Sequence, residues 1–180
     1  MEEARQVPFA DLTTRSRTFL QTADELRALG VRNRAFFLAL YDRSLMGVDV
    51  YSPRLTRETK ARIIREIQRN PWYFYREVCR IPDAGGRTRF ALTRANLAEL
   101  WCLHMNLNTV MIVPRQNFKT ISACCFYLWQ FEFGTSNSTF MFSNKSDSDT
   151  KLNLTRVRNL KLILPEWLRP KDKRDKDNTE

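Results

Sequence analysis

The sequence predicts an α/β chain: a helical N-terminal region over residues 1–82, then the first half of a parallel-sheet domain over 87–168. Three observations carry this. Apolar residues recur at helical spacing from Ser16 to Cys79. After Thr109 the order becomes strand, loop, helix, strand, loop, helix, the pattern of an α/β unit. Glycine is scarce, 5 in 180 residues, which argues against a turn-dense β fold. The 43% apolar and 12% aromatic content is enough to build a core, which excludes wholesale disorder. No apolar run approaches the roughly 18 residues of a membrane span. The polar start Met-Glu-Glu-Ala-Arg-Gln is not that of a secretory signal.

The elements follow in order. Ser16 to Leu29 predicts a helix through Phe19, Ala23, Leu26 and Leu29, with Gly30 as its stop. Asn33 to Met46 predicts a second, with Phe36, Phe37, Leu40, Tyr41 and Leu45 on a stripe that Gly47 ends. Thr56 opens a third, with Ile63, Ile64 and Ile67 apolar. Asn70-Pro71 starts an aromatic helix holding Trp72, Phe74, Tyr75, Val78 and Cys79, because proline suits the first helical position. Pro82-Asp83-Ala84-Gly85-Gly86 reads as a loop and domain boundary. A helix then carries Leu97, Leu100, Trp101 and His104, the last a core or surface residue. Thr109 to Val113 is a short β-branched apolar run, the pattern of a strand buried on both faces. A helix follows from Lys119 through Ile121, Cys124, Cys125, Leu128 and Trp129. Ser138 to Ser143 reads as a second strand. Asp147 or Asp149 then caps a helix over Thr150 to Leu164, with Leu154, Val157, Leu160 and Leu164 inward. Residues 169–180 form a charged tail expected to be disordered. Two strands are too few for a stable open sheet.

The net charge is +10, spread along the chain. Of the basic residues up to position 110, all but Lys60 are arginines, a composition suited to phosphate. Cys79, Cys102, Cys124 and Cys125 include no C-x-x-C pair, and His104 is the sole histidine, so no zinc site is expected. Cys124 and Cys125 are expected to pack as small hydrophobes in a reduced, intracellular protein.

Chemistry concentrates at Val113-Pro114-Arg115-Gln116-Asn117-Phe118-Lys119-Thr120. Lys119 and Thr120 stand where the phosphate-loop pattern G-x-x-x-x-G-K-[ST] places its lysine and hydroxyl. That chemistry needs amides at a helix start aimed at phosphates, a lysine for the β/γ oxygens and a hydroxyl for Mg²⁺. Val113 and Phe118 stand where the pattern has glycines. Lys145-Ser146 repeats the lysine–hydroxyl pair, but only Asn144 separates it from the strand. Two readings remain open on these residues alone: a nucleotide-binding loop, or an ordinary strand–turn–helix with a solvated lysine.

Pro114 to Thr120 resembles the deviant Walker A loop, R-Q-x-G-K-T, of the large terminase subunits of tailed bacteriophages. The likeness runs over roughly residues 70 to 168. Asn70-Pro71-Trp72-Tyr73-Phe74 is similar to the aromatic helix ahead of the ATPase core. Phe90 and Leu92-Thr93-Arg94-Ala95-Asn96 resemble the adenine-reading segment, and Phe140 to Asn144 the second core strand. Leu162-Ile163-Leu164-Pro165-Glu166-Trp167-Leu168 resembles an L-P-x-F/W-L helix end. The resemblance implies a P-loop NTPase domain of the ASCE type that binds ATP and Mg²⁺. Lys119 would contact phosphates, Thr120 would hold the metal, and Arg115 would act catalytically near the γ-phosphate. Pro114, Gln116, Asn117 and Phe118 would line the loop. Asn96 would stand at the adenine-reading position, one methylene shorter than the family's Gln.

The implied activity is ATP-driven packaging of double-stranded DNA into a procapsid. The implied partners are the portal protein, the small terminase subunit and the remaining part of the terminase, in a ring homo-oligomer. The implied place is the host cytoplasm and, transiently, the portal vertex, with no membrane. The family's acidic Walker B pair and nuclease domain would fall beyond residue 180, so a truncated or split chain that does not hydrolyse ATP alone is expected. The alternatives are a basic DNA-binding module or a fragment of another P-loop ATPase, such as a helicase.

Overall fold

The computed structural model describes residues 8–83, 86–112, 114, 119–134 and 146–169. The chain is mixed α/β and 60% helical, with two small antiparallel sheets among the described residues. Strand β1 (Phe9–Ala10) pairs with β2 (Ala39–Leu40), in register Phe9 to Leu40. Helix α1 (Arg17–Ala28) lies between them in sequence, starting after Ser16 and ending before Gly30, which adopts φ 76°. Helix α2 (Arg57–Arg69) is capped by Thr56, whose hydroxyl accepts the Thr59 amide. Asn70 caps α3 (Pro71–Tyr73) through the Tyr73 amide, and the helix continues as a π-helical turn over Phe74–Val78. These starts match the capping residues read from the sequence.

The segment Asn33 to Met46 is not the helix that its apolar stripe predicts. It forms a 3₁₀ turn at Phe36–Leu38, then β2, then a 3₁₀ turn at Arg43–Leu45. Tertiary partners take the backbone groups a helix would pair internally. The buried Glu66 carboxylate accepts the Tyr41 and Asp42 amides, each at 3.0 Å. Asn70 Nδ2 donates to the Ala39 carbonyl at 2.8 Å, and Arg76 donates to the Phe37 carbonyl at 2.8 Å. Charged hydrogen bonds made in a low-dielectric interior outweigh local helix preference.

After α3 the chain turns back as a hairpin, β3 (Arg80–Asp83) with β4 (Gly86–Arg89). The core continues across this point. Phe90 packs edge-on to Phe19, and the Thr22 hydroxyl donates to the Leu92 carbonyl. Helix α4 (Arg94–His104) is followed by Asn106 at φ 52°, and the Leu107 amide reaches back to the Cys102 carbonyl. This is the left-handed helix ending that asparagine tolerates.

The predicted strand at 109–113 is not present over its described part. Thr109 to Ile112 pairs with no strand among the described residues, and Val110 and Ile112 are 92% and 96% exposed. A strand inside a parallel sheet needs neighbouring strands, and none pairs with it among the described residues. Its predicted companion, 138–143, lies outside the described residues, as do 170–180. Helix α5 (Lys119–Trp129) runs on into a π-helical turn over Gln130–Gly134. Helix α6 (Asp147–Ile163) packs against it. Ser146, not Asp147 or Asp149, caps α6 by accepting the Asp149 amide. Leu160 and Leu164 are buried as expected, whereas Leu154 is exposed.

One core joins these pieces. It holds Phe19, Phe37, Ile63, Ile67, Phe74, Tyr75, Leu100, Cys125, Leu128 and Leu160. The Trp129 indole donates to the Ile67 carbonyl at 2.8 Å, fixing the end of α5 on α2. The Trp167 indole donates to the Val50 carbonyl, and the Tyr51 hydroxyl donates to the Val78 carbonyl. The Trp167 bond holds the chain's last described turn, Glu166–Leu168, against its N-terminal half.

Candidate functional site

The start of α5 is the place to which the sequence directs attention. Lys119 is the first described residue of α5 and is exposed, and Thr120 follows it, half-buried. A helix start leaves backbone amides without intrahelical partners and carries partial positive charge. An exposed ammonium there adds to that field, so the described end of α5 favours an anion. Pro114 is exposed. Arg115, Gln116, Asn117 and Phe118 lie outside the described residues.

The floor of this region comes from α4. Glu99 is buried at 8% exposure, and one of its carboxylate oxygens, Oε2, has no partner among the described residues. Burial pushes its carboxyl up to about 7, against the opposing pull of the Lys119 charge and a hydrogen bond from Ser122. A carboxyl that titrates near neutrality, next to an ammonium at a helix start, can hold or release a proton there. Glu99 carried no signal in the sequence, because its position on α4 shows its α5 neighbours only after folding.

Asn96 is spent within the chain. It is 1% exposed, and its oxygen accepts the Thr93 amide at 2.6 Å and the Thr93 hydroxyl. Its nitrogen donates to the Ala91 carbonyl at 3.0 Å. Thr93 and Asn96 thus form a reciprocal cap that fixes the start of α4. Of the residues implied for ATP and Mg²⁺, Lys119 and Thr120 lie together in the first described turn of α5. Asn96 fits only if this cap opens.

His104 sits among rings. Its Nε2 lies 2.9 Å from the Tyr75 hydroxyl, with Trp72, Phe126 and Trp129 around it. Burial pushes it down to about 4, which keeps it neutral near pH 7. Cys124 and Cys125 are both fully buried, as packing residues would be. The Cys125 and Cys79 sulfurs lie 3.2 Å apart as free thiols. Among the described residues no group of three or more His, Cys, Asp or Glu could hold a metal ion.

No protein-family model, no curated protein and no solved structure matches this chain.

Proposed function

We propose that the chain is a nucleotide-binding segment of a DNA-packaging ATPase of the terminase large-subunit kind. The supporting observation is that Lys119 and Thr120 lie in the first described turn of α5, with the lysine exposed. In this reading Lys119 neutralises the β/γ-phosphates of ATP and Thr120 supplies a hydroxyl to Mg²⁺. The bound nucleotide supplies the phosphoryl chemistry, and the chain's own residues bind and orient it. The resemblance assigns Arg115 a role near the γ-phosphate and Pro114, Gln116, Asn117 and Phe118 to the phosphate loop. The finer architecture that goes with this reading is the first half of a parallel P-loop sheet, and the work done is translocation of double-stranded DNA. Portal protein, small terminase subunit and further copies of the chain are the corresponding partners, in host cytoplasm at a procapsid. Asn96 contributes by fixing α4, which carries Glu99 to the floor of the site.

Equilibrium titration with a fluorescent ATP analogue in the presence of Mg²⁺ tests the reading. Saturable binding that ATP displaces, and that Lys119→Ala abolishes without changing the circular dichroism spectrum, is expected. Equal binding by wild type and Lys119→Ala, or none by either, overturns it.

A further inference from the structure

We infer that the groove between α2 and the segment Tyr41–Ser44 is a docking surface for the sugar–phosphate backbone of DNA. The groove encloses about 670 Å³, and its lining includes Arg43, Arg62, Arg65 and Arg69. Arg62, Arg65 and Arg69 follow i, i+3, i+7 spacing, so they share one face of α2 over roughly 10 Å of its length.

Three carboxylates line the same groove, and each is already occupied. Glu66 accepts the Tyr41 and Asp42 amides and the Asn70 side-chain amide. Glu58 pairs with Arg62 at 2.6 Å. Asp42 accepts the Ser44 amide and hydroxyl. Burial pushes the Asp42 carboxyl up, but those bonds and the charges of Arg62 and Arg65 prevail and hold it below its ordinary range.

The remaining arginines keep donors for a ligand, although the Arg65 Nε already donates to the Ala61 carbonyl at 3.4 Å. Among the described residues Arg43, Arg65 and Arg69 make no ion pair, and all three are exposed. Two of them are held in place by rings. The Arg43 guanidinium lies 4.7 Å from the Phe9 ring centre, and that of Arg69 lies 4.7 Å from the Tyr41 ring centre. Stacking engages the flat face of a guanidinium and leaves its in-plane N–H groups for phosphate oxygens. Fixed, forked cations in a row suit successive phosphodiesters better than the flexible carboxylates of an acidic peptide. The groove's preference for a polyanion stands on these contacts alone, while the choice of DNA rests on the packaging reading.

Fluorescence anisotropy of a short labelled DNA duplex, titrated with the whole chain over a range of salt, tests this. The double variant Arg65→Gln/Arg69→Gln is compared with Arg17→Gln/Arg27→Gln, which removes the same charge from exposed positions on α1. The groove variant is expected to lose on the order of ten- to a hundredfold in affinity at low salt, and its salt slope to flatten by about 0.9 per lost phosphate contact. The α1 variant is expected to stay near wild type. Equal losses in the two variants, or none, overturn the proposal. So does displacement of the duplex by polyglutamate as readily as by unlabelled duplex at equal charge. Lys119→Ala separates the two sites: loss of DNA binding in the groove variant alone supports the groove even where no nucleotide binds. Nucleotide binding with unaltered DNA binding by the groove variant sinks the groove alone.

Discussion

Two regions of this chain solve the burial of polar groups in opposite ways. Around α3, Arg76 is completely buried and is matched on every side. It donates to the Phe37 carbonyl, lies 3.1 Å from Glu77 and 3.8 Å from Asp11, and Glu77 also takes the Thr14 hydroxyl and Arg89. Around the approach to α5, apolar groups face outward instead. Met105, Leu107, Val110 and Ile112 are exposed, and the buried Glu99 keeps an unpartnered oxygen. The first arrangement is a finished interior. The second is the part of the molecule with interaction capacity left over, and it contains the residues to which the nucleotide reading points.

The comparison is broken most forcefully at Arg76. Arg76→Met removes the buried cation between Asp11 and Glu77, leaving Glu77 only Arg89 and the Thr14 hydroxyl, and should cost about 3–5 kcal/mol of stability in urea unfolding. A loss under about 1 kcal/mol would mean that the network does not organise the N-terminal half.

Glu99 gives the next largest effect, and it carries a sign. Its folded carboxyl titrates at about 7 against an ordinary 4.5, so the folded state keeps a proton that the unfolded chain has released. Stability therefore falls as pH rises through this window, and the penalty is complete above it. Glu99→Gln should raise stability by about 1–2 kcal/mol at pH 8, a figure discounted for partial solvent access, and change little at pH 4. His104 acts in the opposite sense. Its folded value of about 4 lies below 6.5, so it contributes stability above 6.5 that is lost as pH falls toward 4. Thermal melts of wild type and Glu99→Gln across pH separate the two, and a pH-independent difference would contradict the burial of Glu99.

Smaller still is the helix cap. Thr93→Ala removes the reciprocal bonds with Asn96 and should cost about 1 kcal/mol. It also tests whether α4 must be pinned for the α5 start to act, since nucleotide affinity should fall with it. The smallest effect belongs to the exposed approach. Ile112→Ser should change stability by less than about 0.5 kcal/mol, because the side chain is 96% exposed. A large loss would mean that this side chain is covered in solution.

The same contrast marks what the sequence could disclose. Thr56 and Asn70-Pro71 announced their helices because capping is local: the side chain meets an amide three residues away. The helix expected after the change of periodicity is likewise present over Lys119–Trp129. Phe36 to Leu45 misled because its apolar stripe is helical in period, while its amides and carbonyls belong to Glu66, Asn70 and Arg76, more than twenty residues away. Thr109 to Ile112 misled because a β-branched run is a strand only where neighbouring strands complete it. At the proposed site, the spacing of Lys119 and Thr120 in the sequence is what the nucleotide reading rests on. Glu99 was hidden, since its meaning comes from a neighbour on another helix.

Hydrogen exchange at the first turn of α5, with and without Mg-ATP, tests the central claim most directly. The account predicts that amides of residues 119–123 become protected on adding nucleotide and that Lys119→Ala abolishes the protection. Nucleotide-dependent protection elsewhere in the chain, with this turn unchanged, would contradict it.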